Sequence, residues 1–211
     1  FFNWVSGGTI NFVRDKNGDG QVDILNVAVP SSTTCFFIPS AAQSAILANS
    51  GVDIYSWTHH VFILPPDYSA CGTGVANIGC TQGACNVWSS SMRGDVFTHE
   101  LGHNFGLDHS DSMFIVSNNL AWSEYTDFSS AMSASLGLMR RGYNPIDLSH
   151  LDVLPSSAIT VLTGPLTVST YTLQDLYASS GTRVIRFTTA SGTLYHVSFR
   201  QQTPDSKGYD A

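Results

Sequence analysis

Residues 99–109 read His-Glu-Leu-Gly-His-Asn-Phe-Gly-Leu-Asp-His, which brings three imidazoles and one carboxylate into one short stretch of chain. The pattern is H-E-x-x-H-x-x-G-x-x-H. With seven His, two Glu and 18 Gly among 211 residues, these five positions would arise by accident with odds on the order of 10⁻⁵, so coincidence is a poor account of them. On a helix, His99 and His103 stand one above the other and can reach a single ion. Glu100 is rotated by about 100° from His99, too far to be an equal ligand yet near enough to touch a water at the ion. Three neutral imidazoles with an open fourth position describe a catalytic zinc site, whereas structural zinc sites are closed by four ligands, usually rich in cysteine. Zinc lowers the pKa of its water and polarises a carbonyl. Glu100 can then act as the base that takes the water's proton and passes it to a leaving amine. The chemistry implied is peptide-bond hydrolysis without an acyl-enzyme.

The elements that must position these groups are legible too. Gly106 lies three residues past His103, where the chain has to leave the helix so that His109 can approach from another direction. A left-handed helix end suits glycine because it has no Cβ to clash. Upstream, Arg93-Gly94-Asp95 precedes Val96, Phe97, Leu101 and Phe105, so Asp95 is the expected N-cap and the apolar residues the expected core-facing stripe.

The three-histidine motif resembles that of the metzincin metallopeptidases. Further segments resemble the gametolysin (autolysin) family within them, known from algal cell-wall-degrading enzymes. Glu124-Tyr125-Thr126-Asp127-Phe128-Ser129-Ser130-Ala131-Met132 is similar to that family's approach to its methionine turn, and Tyr143-Asn144-Pro145 with Leu151-Asp152-Val153-Leu154 to the segment that follows. The resemblance implies Met132 as a hydrophobic floor under the zinc. It also implies a secreted zinc endopeptidase acting on extracellular protein or glycoprotein substrates of cell wall or matrix. No Tyr stands two residues after Met132, so a tyrosine ligand is not implied. The rival reading is a non-catalytic matrix or adhesion module with structural metal sites. Glu100 argues against it, since a structural site has no use for a base.

Cys35, Cys71, Cys80 and Cys85 allow three pairings, and the even count favours two disulfides in an oxidising compartment. The competing Cys-based zinc site lacks the C-x-x-C pairs such sites use. A staple in the Gly-rich run from Cys71 to Cys85 would rigidify the edge of the cleft. A second candidate metal site is Asp15-Lys16-Asn17-Gly18-Asp19-Gly20-Gln21-Val22-Asp23, with Asp15, Asn17, Asp19 and Asp23 as oxygen ligands for calcium. The twelfth position is Asn26, without the bidentate Glu, and a hairpin turn through Asn-Gly and Asp-Gly accounts for the same residues.

Composition agrees with a secreted, mostly globular chain. A net charge of −7 with a pI near 5.3 speaks against a nucleic-acid surface, and no run of 18 apolar residues is present to span a membrane. The chain begins at Phe1-Phe2-Asn3-Trp4 without a basic and apolar leader, so any signal peptide or pro-segment lies outside it. Strands are expected at Thr9–Val13, Val22–Val29 and Val61–Leu64, and a helix at Ala41–Asn49 closed by Gly51. His59 and His60, adjacent on a strand, would point to opposite faces as ordinary strand-edge residues. The expected fold is α+β: a metzincin-like zinc peptidase domain over residues 1–154 built on a central active-site helix. A β-rich C-terminal segment over residues 155–211 follows, with strands at 184–187 and 194–199. The sequence leaves the oligomeric state open.

Overall fold

A computed structural model describes residues 1–10, 12, 15, 18–21, 23–80, 84–134, 142–164 and 168–201. In chain order its helices and strands are α1 (Phe2–Val5), α2 (Ile38–Ser50), β1 (His59–Ile63), β2 (Gly74–Ala76), β3 (Cys85–Ser89), α3 (Gly94–Asn104), β4 (Ser112–Val116), β5 (Asn119–Ser123), α4 (Pro145–His150), β6 (Ile159–Leu162), β7 (Val184–Thr188) and β8 (Leu194–Ser198). The mixture of helix and sheet fits the α+β expectation. The chain divides into two compact units, Phe12–Asp108 and Phe1–Asn11 together with His109–Ala211.

In the unit Phe12–Asp108, a three-stranded sheet has the order β1-β3-β2, with β1 parallel and β2 antiparallel to β3. A central strand covered on both faces should be apolar throughout rather than alternating. β3 is enclosed on both faces though not apolar throughout: Cys85, Val87, Trp88 and Ser89 are buried and Asn86 is half-buried. α2 begins with Pro39 in its first turn and stops at Gly51, which is left-handed at φ 70° and returns its N–H to Leu47. It seats Ala42 and Ile46 with Ile54 in one apolar cluster, while Cys35, Ile38, Leu64, Cys71 and Trp88 form another. Of the three possible pairings the structure has Cys35–Cys71 and Cys80–Cys85, and no cysteine is left free.

Two strand expectations fail in this part of the chain and its N-terminal neighbour. Residues 23–29 pair with no strand among the described residues; Ile24 and Leu25 are exposed, and Val27 and Val29 pack on the α2 cluster instead. β-propensity reports suitability for a half-buried pleated surface and does not itself supply a ladder. Thr9, Ile10 and Phe12 are likewise not in a strand, the Ile10 amide being turned back onto the Ser6 hydroxyl. Asn11, Val13 and Val22 lie outside the described residues.

In the other unit, β4 and β5 form a hairpin in the register Ser112↔Ser123 to Val116↔Asn119. Its two-residue turn, Ser117-Asn118, has φ 49° and 64°, both left-handed, which matches the twist of a tight hairpin. α4 opens on a reciprocal capping box between Asn144 and Asp147 with Pro145 in its first turn. β6, β7 and β8 form a sheet in that order, parallel then antiparallel. Tyr143, Leu148, Leu176, Val184 and Met132 are buried in this unit. Among the described residues no helix is long and apolar enough to cross a membrane.

Candidate metal centre

α3 carries the first two histidines, and most of the residues it buries are polar. Its N-cap is Arg93 rather than Asp95; Asp95 sits in the first turn, where a carboxylate complements the helix dipole, and pairs with Arg93 at 2.5 Å. The expected stripe is only partly buried: Val96 is enclosed, whereas Phe97, Leu101 and Phe105 are half-buried. The enclosed positions are Val96, His99, Glu100, Gly102, His103 and Asn104. Their 3.6-residue recurrence turns the chemistry-bearing groups inward against β2 and β3.

The end of the helix is tied down by backbone bonds. Gly106, left-handed at φ 86°, donates its N–H to the His103 carbonyl, and Leu107 donates to Gly102. This is a Schellman closure, with the buried Leu107 at its apolar contact position. From outside the helix, the Gly79 and Cys80 amides reach the His103 and Asn104 carbonyls at 2.8 and 3.1 Å, so the segment held by Cys80–Cys85 satisfies two terminal acceptors. The Asn104 amide donates to the carbonyls of Asn77 and Asn86 and binds α3 to the sheet side.

The imidazoles converge. His103 Nδ1 lies 2.7 Å from the Leu107 carbonyl, which can only accept, so Nδ1 carries the proton and Nε2 keeps its lone pair. That Nε2 is 3.1 Å from His99 Nε2. Two nitrogens bound tetrahedrally to one ion at zinc–nitrogen distances would lie roughly 3.3 Å apart, so the pair fits a shared metal. His99, His103 and His109 each offer an atom within 4.8 Å of the others. His109 is held on its other nitrogen by Glu124, with Nδ1 2.5 Å from Oε1, and its ring lies against Tyr125 at 3.8 Å between centroids.

Glu100 is 7% exposed, and burial raises its carboxyl to about 7. Its neighbour on β2 is Gly74: a Cβ there would stand 2.5 Å from Glu100 Oε1 and 2.7 Å from Val96 Cγ1. The sequence gives no role at the site to Gly74, or to Glu124 beyond its place in the stretch leading to Met132. Gly74 is one glycine among 18, and Glu124 is 15 residues from the histidine it meets.

Other expectations find their places. Met132 is wholly buried, with its N–H on the Ser130 hydroxyl and its carbonyl accepting from Ser110, the residue after His109. Ser130 in turn donates to Asp147. His60 is a satisfied buried histidine, bonded to Asn86 and the Ile54 carbonyl, and His59 contacts Asn104. In the proposed calcium loop, Asp15 accepts the amides of Gly18, Asp19 and Gly20, and Asp19 accepts that of Gln21. Those bonds shape the bend at residues 19–21. Asp15, Asp19 and Asp23 form no ligand group of three among the described residues, and Asn17 lies outside them.

A histidine trio on and just beyond one helix, with a buried carboxylate on the same helix, is compatible with a metal site. A family model described as gametolysin peptidase M11 matches residues 14–152, 139 of the 211. The chain belongs to that family and is a metallopeptidase. Comparison with curated proteins and with solved structures gives no significant match.

Proposed function

We propose that the protein is a zinc endopeptidase of the metzincin type, secreted, with residues 1–154 as its catalytic domain and the β-rich residues 155–211 appended. The observation that carries this reading is the burial of Glu100, the neighbour of His99 in sequence, on the helix that supplies two of the three clustered histidines. His99, His103 and His109 would hold the ion. When bound, a zinc ion supplies a polarised scissile carbonyl and a more acidic attacking water, and its charge counters the effect of burial on Glu100. Glu100 removes the proton from the water as its oxygen attacks the carbonyl carbon. The same carboxyl then delivers that proton to the amide nitrogen as the carbon–nitrogen bond breaks, leaving a new carboxyl and a free amine. Met132, buried and bonded through Ser110, serves as the floor beneath the histidines. Two disulfides suit an oxidising exterior, and the family resemblance points to cell-wall or matrix glycoproteins as substrates.

The decisive comparison is wild type against Glu100→Ala, with zinc content and cleavage of a generic protein substrate measured together. The variant should keep its zinc and lose at least about 10²-fold in turnover, the usual contribution of a positioned acid–base. A variant that retained zinc and cleaved at the wild-type rate would overturn the mechanism. A wild-type protein that bound zinc without cleaving any protein substrate would point instead to a non-catalytic module.

A further inference from the structure

The chain contains 16 acidic residues, of which only two are glutamates, Glu100 and Glu124, and Glu124 meets a histidine of the cluster. Glu100 lies beside His99 in sequence and is turned inward on α3. Glu124 is delivered by the hairpin. The tight Ser117-Asn118 turn sets the β4–β5 register, and Ser112↔Ser123 is its last pair. Beyond that pair the two arms stay fastened: Asp111 accepts the Tyr125 amide, Thr126 Oγ1 accepts the Ser112 amide, and Asp127 donates to the Ser110 carbonyl. Residues 109–112 and 123–127 therefore run side by side, and Glu124 Oε1 meets His109 Nδ1 at 2.5 Å. Tyr125, itself held at φ 65°, lies against the same imidazole.

His109 differs from His103 in how its orientation is set. The Nδ1 of His103 is oriented by a backbone carbonyl inside the helix closure, whereas that of His109, the histidine of the loop, is met by a charged side chain from another element. We propose that Glu124 is the positioning residue of the third metal ligand: by accepting the Nδ1 proton of His109 it fixes the tautomer and ring orientation and directs Nε2 to the metal. A carboxylate on the far nitrogen of a ligating histidine also makes that ligand a better donor. Glu124 does not touch substrate in this role. It governs how tightly, and in what geometry, the ion is held. This rests on reading His99, His103 and His109 as one metal set.

The test is zinc affinity of the full chain by competition with a chromophoric chelator, for wild type, Glu124→Ala, Glu124→Gln and His109→Ala. Visible spectra of the cobalt-substituted proteins are recorded alongside. Glu124 is 55% exposed, so its truncation should leave the thermal midpoint and the far-ultraviolet dichroism of the wild type intact. Glu124→Ala should weaken zinc binding by roughly 10- to 100-fold and alter the cobalt spectrum, the usual effect of removing such a partner. Glu124→Gln, which keeps an oxygen acceptor, should recover most of the affinity. If Glu124→Ala bound zinc as tightly as wild type while His109→Ala bound it weakly, the positioning role would be refuted and the three-histidine site would stand. If His109→Ala bound zinc as tightly as wild type, the three-histidine site itself would fall, and the proposal with it.

Discussion

Replacing Gly74 by alanine adds one methyl group at the point where β2 touches α3, and the structure defines what that group would meet. The new Cβ would lie 2.5 Å from Glu100 Oε1, 3.0 Å from Glu100 Cδ and 2.7 Å from Val96 Cγ1. Carbon atoms in good contact sit about 3.5–4.0 Å apart, so something must move by about 1 Å. Val96 is 3% exposed and β-branched, with little rotamer freedom in a helix. The Glu100 carboxyl, at the end of a flexible side chain, yields first, and the 2.7 Å contact with Val96 is relieved by a small shift of β2 against α3. Overpacking costs about 1–3 kcal/mol, partly offset by the 0.5–1 kcal/mol or so gained when a glycine leaves a strand, so the folded protein should survive. A 1 Å displacement of a reacting group costs roughly 10²-fold in rate. Gly74→Ala should therefore lose about two orders of magnitude in kcat on a protein or peptide substrate. Its zinc affinity should stay close to that of the wild type, and its thermal midpoint should fall by no more than about 10 °C. Turnover within threefold of wild type, in a protein shown to be folded and loaded with metal, would refute the claim that Gly74 sets the position of Glu100.

The remaining expectations concern stability. Loop-closure entropy gives about 4 kcal/mol for the Cys35–Cys71 disulfide, with a separation of 36, and about 2 kcal/mol for Cys80–Cys85, with a separation of five. Denaturant unfolding of the two double-serine variants should show that order. Only the Cys80/Cys85 variant should speed hydrogen exchange at the Gly79 and Cys80 amides that cap α3; equal exchange in both variants would contradict the capping role. Burial raises the Asp147 carboxyl from 3.8 to about 6 against the opposing bonds from Ser130 and Asn144. The folded state thus holds this proton more tightly than the unfolded one. The corresponding stability is fully present below pH 3.8 and lost as pH rises through about 6, a cost of about 3 kcal/mol at neutrality. Asp147→Asn should flatten that part of the stability profile between pH 4 and 7, and parallel profiles for the two proteins would show that Asp147 is not its source.

What could be read along the chain was local in origin. The spacing of His99, Glu100 and His103 follows from one helical period, and the left-handed Gly106 and Gly51 from helix ends that only a residue without a Cβ closes cheaply. Helix α2 and strands β1, β7 and β8 were marked by runs of apolar residues bounded by turn formers. Where a feature depended on what lay opposite, the same reading failed or stayed open. Residues 23–29 have strand-like composition without a ladder. Asp95 looked like a cap and is a first-turn acid. Four cysteines could not choose among three pairings. Gly74 meets Glu100 from 26 positions away, and Glu124 meets His109 only because a hairpin turns the chain back on itself. Periodicity and capping act over a turn of helix and are written in neighbouring residues. Contacts across strands, disulfides and hairpin roots depend on which distant segments the packing brings together, and that was decided only by the tertiary structure.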